Sequence, residues 1–105
     1  MRAVIAALLA VFLLPAQAHE DARWIQERSI KNAVGELCCG ERDCVPIEEN
    51  DVRVTQSGYL IKSTRELVPF NEALPLPADE RALGRYWICH WGGQRKCFFA
   101  PASGS

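Results

Sequence analysis

Five cysteines behind a short apolar leader restrict the fold of this chain more than any other feature of it. The leader runs Met1-Arg2, an unbroken apolar stretch from Ala3 to Leu14, then Pro15 and Ala16-Gln17-Ala18. A charged start, about a dozen apolar residues and small residues at the third and first positions before a cut are the order of a secretory signal. The stretch falls short of the roughly 20 residues that a membrane span needs. The residue after Ala18 is His19, not cysteine, and no Arg-Arg pair precedes the apolar run, so neither lipid attachment nor twin-arginine export is indicated. Residues 1–18 are therefore expected to be a cleaved signal peptide, and residues 19–105 one small domain without membrane insertion. Cys38, Cys39, Cys44, Cys89 and Cys97 all lie beyond the cut.

An exported chain enters an oxidising space in which disulfides persist. Cleavage leaves 87 of the 105 residues. A domain of that size buries only about 60–65% of its unfolded surface. Each disulfide can add roughly 2–4 kcal/mol to a total near 5–10 kcal/mol, so staples are the default role for these cysteines. Loss of Arg2 leaves 11 basic against 13 acidic residues, a formal charge of −2. Such a near-neutral, interspersed distribution lacks the electrostatic footprint of a nucleic-acid partner or of anchorage on an anionic membrane.

Residues 20–37 read as an amphipathic helix. Ala22, Ile25, Ile30, Ala33, Val34 and Leu37 share about half of its circumference, Glu20 and Asp21 favour its start, and Gly40 is placed to end it. Asp51 to Lys62 reads as a hairpin turning at Ser57-Gly58, and Glu66 to Phe70 as a short edge strand, because Pro69 cannot donate to a ladder. The stretch from Asn71, with Pro75 and Pro77, reads as an irregular connector holding one helical turn.

The last segment, from Arg85 to Pro101, reads as two strands around Gly92-Gly93-Gln94. A three-residue loop sets Trp87 opposite Phe99, Cys89 opposite Cys97 and Trp91 opposite Arg95 on one face. On the other face it sets Ile88 opposite Phe98 and His90 opposite Lys96. Opposed residues lie about 4.5–5.5 Å apart at Cα, within disulfide range, so Cys89–Cys97 is a natural bridge. A two-residue Gly-Gly loop would put Cys97 opposite Ile88 instead.

Cys38 and Cys39 are poor partners for each other, since a vicinal bridge strains their shared peptide. Cys44 is the nearest partner for either. The alternative sends one or both bridges from this cluster to the last hairpin, closing longer loops. Five choices of free cysteine, with three pairings each, leave fifteen two-bridge schemes. The odd cysteine is a buried inert thiol, a link to a second chain or a reactive group, although no Cys-x-x-Cys spacing supports dithiol exchange. Metal chemistry is the sharper rival: Cys38, Cys39 and Cys44 with His90 would make a zinc set. His19, made N-terminal by the cut, could chelate copper through its amine and imidazole. No phosphate loop, nucleophile elbow, paired metalloprotease histidines or Cys-x-x-Cys is present.

The cysteine cluster Cys38-Cys39-Gly40-Glu41-Arg42-Asp43-Cys44, Val45-Pro46 behind it, the central Ser57-Gly58-Tyr59-Leu60-Ile61 and the closing Lys96-Cys97-Phe98-Phe99-Ala100-Pro101 together resemble a group of small exported bacterial proteins of uncharacterised function. The likeness covers about residues 35–105 and implies a disulfide scaffold in the cell envelope, with no activity attached. The expectation is an α+β fold, one N-terminal helix packed on an antiparallel sheet of three to five strands and stapled by about two disulfides. In function it is expected to be a soluble periplasmic or secreted binding module, not an enzyme, without cofactor. An envelope protein or small ligand is its partner, and Tyr86, Trp91 and Phe98 are the contact candidates. A metal- or thiol-handling protein is the alternative.

Overall fold

The computed structural model describes residues 21–101. The expected signal peptide and His19 lie outside the described residues. What is described is almost entirely β-structure, in two sheets. The first sheet contains β1 (Cys44–Ile47), β5 (Ala73–Pro75), β6 (Tyr86–Trp91) and β7 (Gln94–Ala100) in the order β1-β6-β7-β5. Its pairs are antiparallel except β5 with β7, which run parallel. The second sheet is an antiparallel meander of β2 (Val52–Val54), β3 (Gly58–Ile61) and β4 (Glu66–Pro69).

The expected α+β fold with a long N-terminal helix is thus corrected. Only α1 (Arg23–Glu27) is helical there, five residues long. Ser29 takes φ 50°, a left-handed conformation that stops the helix. Asn32 then competes for the backbone: its Oδ1 accepts from the N–H groups of Val34 (3.1 Å) and Glu36 (2.9 Å). A side chain that satisfies nearby donors in this way offers the chain an alternative to the helical ladder. The segment folds back on itself, with Asn32 N–H donating to Glu36 and Cys38 N–H to Ile30. Val34, expected on the buried stripe, is 79% exposed at the tip. Gly40 is not a helix terminator either. It sits against α1 so closely that an added Cβ would lie 2.8 Å from the Gln26 Cβ.

The first sheet is the middle of three layers. One of its faces buries Trp87, Cys89, Cys97 and Phe99 against Trp24 and Ile25 of α1 and against Cys38. Trp24 meets Trp87 and Phe99 edge-on, at 5.5 and 5.3 Å between ring centroids, a favoured aromatic geometry. Burying each of these rings is worth about 2–3 kcal/mol. The other face buries Ile47, Ile88, Phe98 and Ala100 against Ile61 and Val68 of the second sheet.

The hairpin read at residues 51–62 and the strand at the edge of the second sheet are present. The connector holds the single helical turn, Glu80–Ala82, but its Leu74-Pro75 stretch also pairs with β7. In the last hairpin, Trp87 faces Phe99, Ile88 faces Phe98 and Cys89 faces Cys97, as the three-residue loop requires. Beyond Cys89 the register shifts: His90 faces Arg95 and Trp91 faces Gln94. The turn therefore has two residues, Gly92 (φ 64°) and Gly93 (φ 75°), and Lys96 is the extra residue of a β-bulge.

Candidate functional site

The cysteines come together around the last hairpin, but not as the hairpin alone suggests. Cys89 and Cys97 are cross-strand neighbours and are not bonded to each other. Cys97 bonds Cys38, and Cys89 bonds Cys44, with Cα separations of 5.5 and 4.0 Å. Strand β1 lies beside β6 and delivers Cys44 to Cys89, while the folded-back loop lays Cys38 over Cys97. The Cys89–Cys97 bridge and a bridge within the cluster are both corrected; the pattern with both bridges running from cluster to hairpin is the one that forms. Cys39 is left free and half-buried, in a left-handed conformation at φ 68°.

This pairing dismantles the four-ligand zinc set. The sulfurs of Cys38 and Cys44 are consumed, and His90 lies on the other side of its sheet from Cys89. Its Nε2 is 3.4 Å from Glu66 Oε2 on the second sheet. Among the described residues, no group of three or more His, Cys, Asp or Glu side chains is placed to hold a metal ion.

The aromatic contact candidates do not form one surface. Phe98 is 1% exposed and belongs to the core between the sheets, because the register turns it toward Ile88 and the meander. Tyr86 and Trp91 occupy opposite ends and opposite faces of β6. Tyr86 is half-buried beside Tyr59 and Phe98, and burial, followed by the neighbouring Tyr59 and Glu49, pushes its phenol above the usual tyrosine range. Trp91 donates from Nε1 to the Leu37 carbonyl (3.0 Å), and the Lys96 ammonium sits 4.3 Å from its ring centroid. Lys96 also bonds Glu36 Oε2 at 3.0 Å, and its hydrogen bond, with that of Asn32, holds the Glu36 carboxyl below the usual range. Trp91 therefore fastens the 30–38 loop to the hairpin.

One concavity that composition could not reveal lies between the two sheets. A groove of about 540 Å³ runs along β1 and β6 on one side and the β3–β4 turn on the other. Its floor is aliphatic: Val45, Ile47, Ile61 and Ile88. Its rim carries Glu48, Asp51 and Glu66. Glu66 accepts from Arg95 at 3.0 Å, and Arg95 also holds Glu72 at 2.7 Å, so one arginine joins the two sheets at the groove's end. Asp51 fixes the β3–β4 turn by accepting from the Ser63 N–H (2.9 Å) and hydroxyl (2.6 Å). The Ser63 hydroxyl thus donates to a carboxylate rather than to an imidazole, while His90 is engaged with Glu66. The arrangement can seat apolar side chains and attract positive charge. The run Cys44-Val45-Pro46-Ile47 carries no alternation that would have marked Val45 as its exposed member.

Set against known proteins, the chain has no match among protein-family models, curated proteins or solved structures. In the described residues it is a small, disulfide-bonded, mostly β domain in which no helix is long and apolar enough to cross a membrane.

Proposed function

We propose that this chain is an exported, non-enzymatic binding module of the cell envelope or the extracellular space. The observation that carries the reading is the pair of bridges, Cys38–Cys97 and Cys44–Cys89, which tie a loop to a distant hairpin and need an oxidising compartment to persist. The leader agrees with that compartment, as does the resemblance to small exported bacterial proteins. The ion pairs of the carboxylates support a structural role for them. Asp79 is held by Arg28 and Arg81, Glu36 by Lys96, and Glu66 by Arg95, and each of these pairs ties separate parts of the chain or fixes a turn.

The test is to express the full chain with its leader, recover it natively from the envelope, block free thiols with a maleimide and determine masses before and after reduction. The expected product begins at His19, contains two bridges that map to Cys38–Cys97 and Cys44–Cys89, and carries one blocked thiol at Cys39. Fully reduced yet folded exported material, or material holding a stoichiometric metal, overturns the reading.

A further inference from the structure

The inter-sheet groove has a composition that selects among partners. Three carboxylates line it, from Glu48, Asp51 and Glu66, and neither lysine nor arginine does so among the described residues. Glu48 and Glu66 hold Arg85 and Arg95, which lie outside the lining, and the Glu48 side chain remains 76% exposed despite its arginine. Between these charges Val45 leaves 53% of its surface in water, an aliphatic side chain with no covering element. His90 in the same lining is paired with Glu66, whereas Asp51 is bonded by Ser63 rather than by a cation and Glu48 stays open to solvent, so the apolar floor lies under a rim with an acidic excess that favours a cationic partner.

The way an occupant can be held also follows from the strand. His90 N–H donates to the Asp43 carbonyl (2.9 Å), so the ladder's alternation directs the backbone groups of Val45 and Ile47 toward β6. Those of Cys44 and Pro46 face the open edge. The Cys44 N–H is already given to Gly40 (3.1 Å), and Pro46 has none. The edge of β1 therefore lacks the donors that strand addition uses, and recognition must come from side chains.

We propose that this groove binds an extended segment of a partner protein in which aliphatic side chains are flanked by lysine or arginine. The aliphatic residues cover Val45 and the floor, and the flanking cations meet Glu48, Asp51 and Glu66. This rests on the binding-module reading and names the chemistry of the partner.

The test uses the exported, oxidised protein labelled with ¹⁵N, after its mass has shown both bridges. It is titrated with a capped hexapeptide of two central aliphatic residues flanked by four lysines, and separately with the glutamate-flanked counterpart. The lysine peptide should give saturable amide shifts confined to residues 45–51, 61–66 and 88–90, and the glutamate peptide none. The substitutions Val45→Lys and Val45→Glu remove the same exposed side chain and differ only in charge. The lysine variant should bind the lysine peptide on the order of fivefold more weakly than the glutamate variant at low salt, and the difference should shrink in high salt. Shifts scattered over the surface, equal response to both peptides, no response to the lysine peptide, or equal affinity of the two variants overturns the groove assignment. A sample whose thiols are all reduced when recovered fails at the mass measurement and overturns the parent reading instead.

Discussion

Removing the bridges one pair at a time has a consequence set by their nesting. Cys38–Cys97 spans 59 residues and encloses Cys44–Cys89, which spans 45. Taken singly, chain-entropy loss in the unfolded state gives each about 4 kcal/mol. They are not independent, because Cys44 follows Cys38 by six positions and Cys97 follows Cys89 by eight. With either bridge closed, the other closes a ring of only about 14 residues, which lowers its contribution to about 3 kcal/mol. Alanine is the replacement of choice, since Cys38 and Cys89 are fully buried and a serine hydroxyl would be left without water. The pair variants C38A/C97A and C44A/C89A should thus each lose about 3 kcal/mol in urea titrations followed by tryptophan fluorescence, Trp24 and Trp87 being buried reporters. Their melting temperatures should fall by about 12–24 °C. The quadruple alanine variant should lose roughly 7 kcal/mol, most or all of the stability of a domain this size, and should be unfolded at 25 °C. A quadruple variant that unfolds cooperatively with less than about 2 kcal/mol lost would refute the argument that cross-links, rather than the core, keep this domain closed.

Two further outcomes test other parts of the fold. The Asp79 carboxyl is held far below its ordinary value, first by the Arg81 side chain, then by the Arg81 N–H and Arg28. Glu27 and Glu36 are lowered as well, by Arg81 and Lys96. Depressed folded-state values mean stability that is present above the unfolded value near 4 and lost as pH falls through the folded values. The urea midpoint should therefore hold level from pH 7 to 5 and drop below about pH 4, with a shallower drop in D79N; a midpoint that already falls between pH 7 and 5 contradicts the assignment. Gly58→Ala should cost roughly 2–4 kcal/mol or prevent folding, because the new Cβ would run into the Val68 carbonyl oxygen and lie 2.9 Å from Pro69 Cα at a φ of 152°; a neutral result in thermal melts would show that β3 and β4 are not in this register.

The parts of the fold legible in the sequence were those written as alternation against a fixed partner. Trp87, Ile88 and Cys89 find Phe99, Phe98 and Cys97 because one register satisfies all three pairs at once. The N-terminal segment was not legible, because apolar spacing of helical period coexists there with a stronger local signal. Asn32 and Gly35 (φ 87°) turn the chain, and the apolar residues that matter are Trp24 and Ile25 at its start, not Val34 and Leu37 at its end. The parallel strand at Ala73–Pro75 was hidden for a different reason. Its pairing with β7 depends on where the chain returns after the second sheet, a non-local fact that no window of sequence contains. The groove is non-local in the same sense, since Val45, Ile61 and Ile88 come from three separate strands.

The bulge at Lys96 shows how a single inserted residue reconciles readings that excluded each other. A Gly-Gly turn with an unbroken ladder would have put Cys97 opposite Ile88, and both cysteines would have pointed to different faces. With Lys96 as the extra residue, the two-residue turn keeps its favourable twist and Cys97 still stands beside Cys89, both sulfurs directed at the loop layer. The same insertion exchanges the faces of Arg95 and Lys96. Lys96 now lies on the side of Cys97, where it caps Trp91 and bonds Glu36 of the 30–38 loop, while Arg95 passes to the opposite side and bonds Glu66 and Glu72. The cation on Trp91 that the simple register assigned to Arg95 is supplied by its neighbour, and Arg95 is released to join the sheets beside the groove. The bulge thereby decides which cation holds which layer: plain alternation would have turned Arg95 toward the 30–38 loop and Lys96 toward the second sheet.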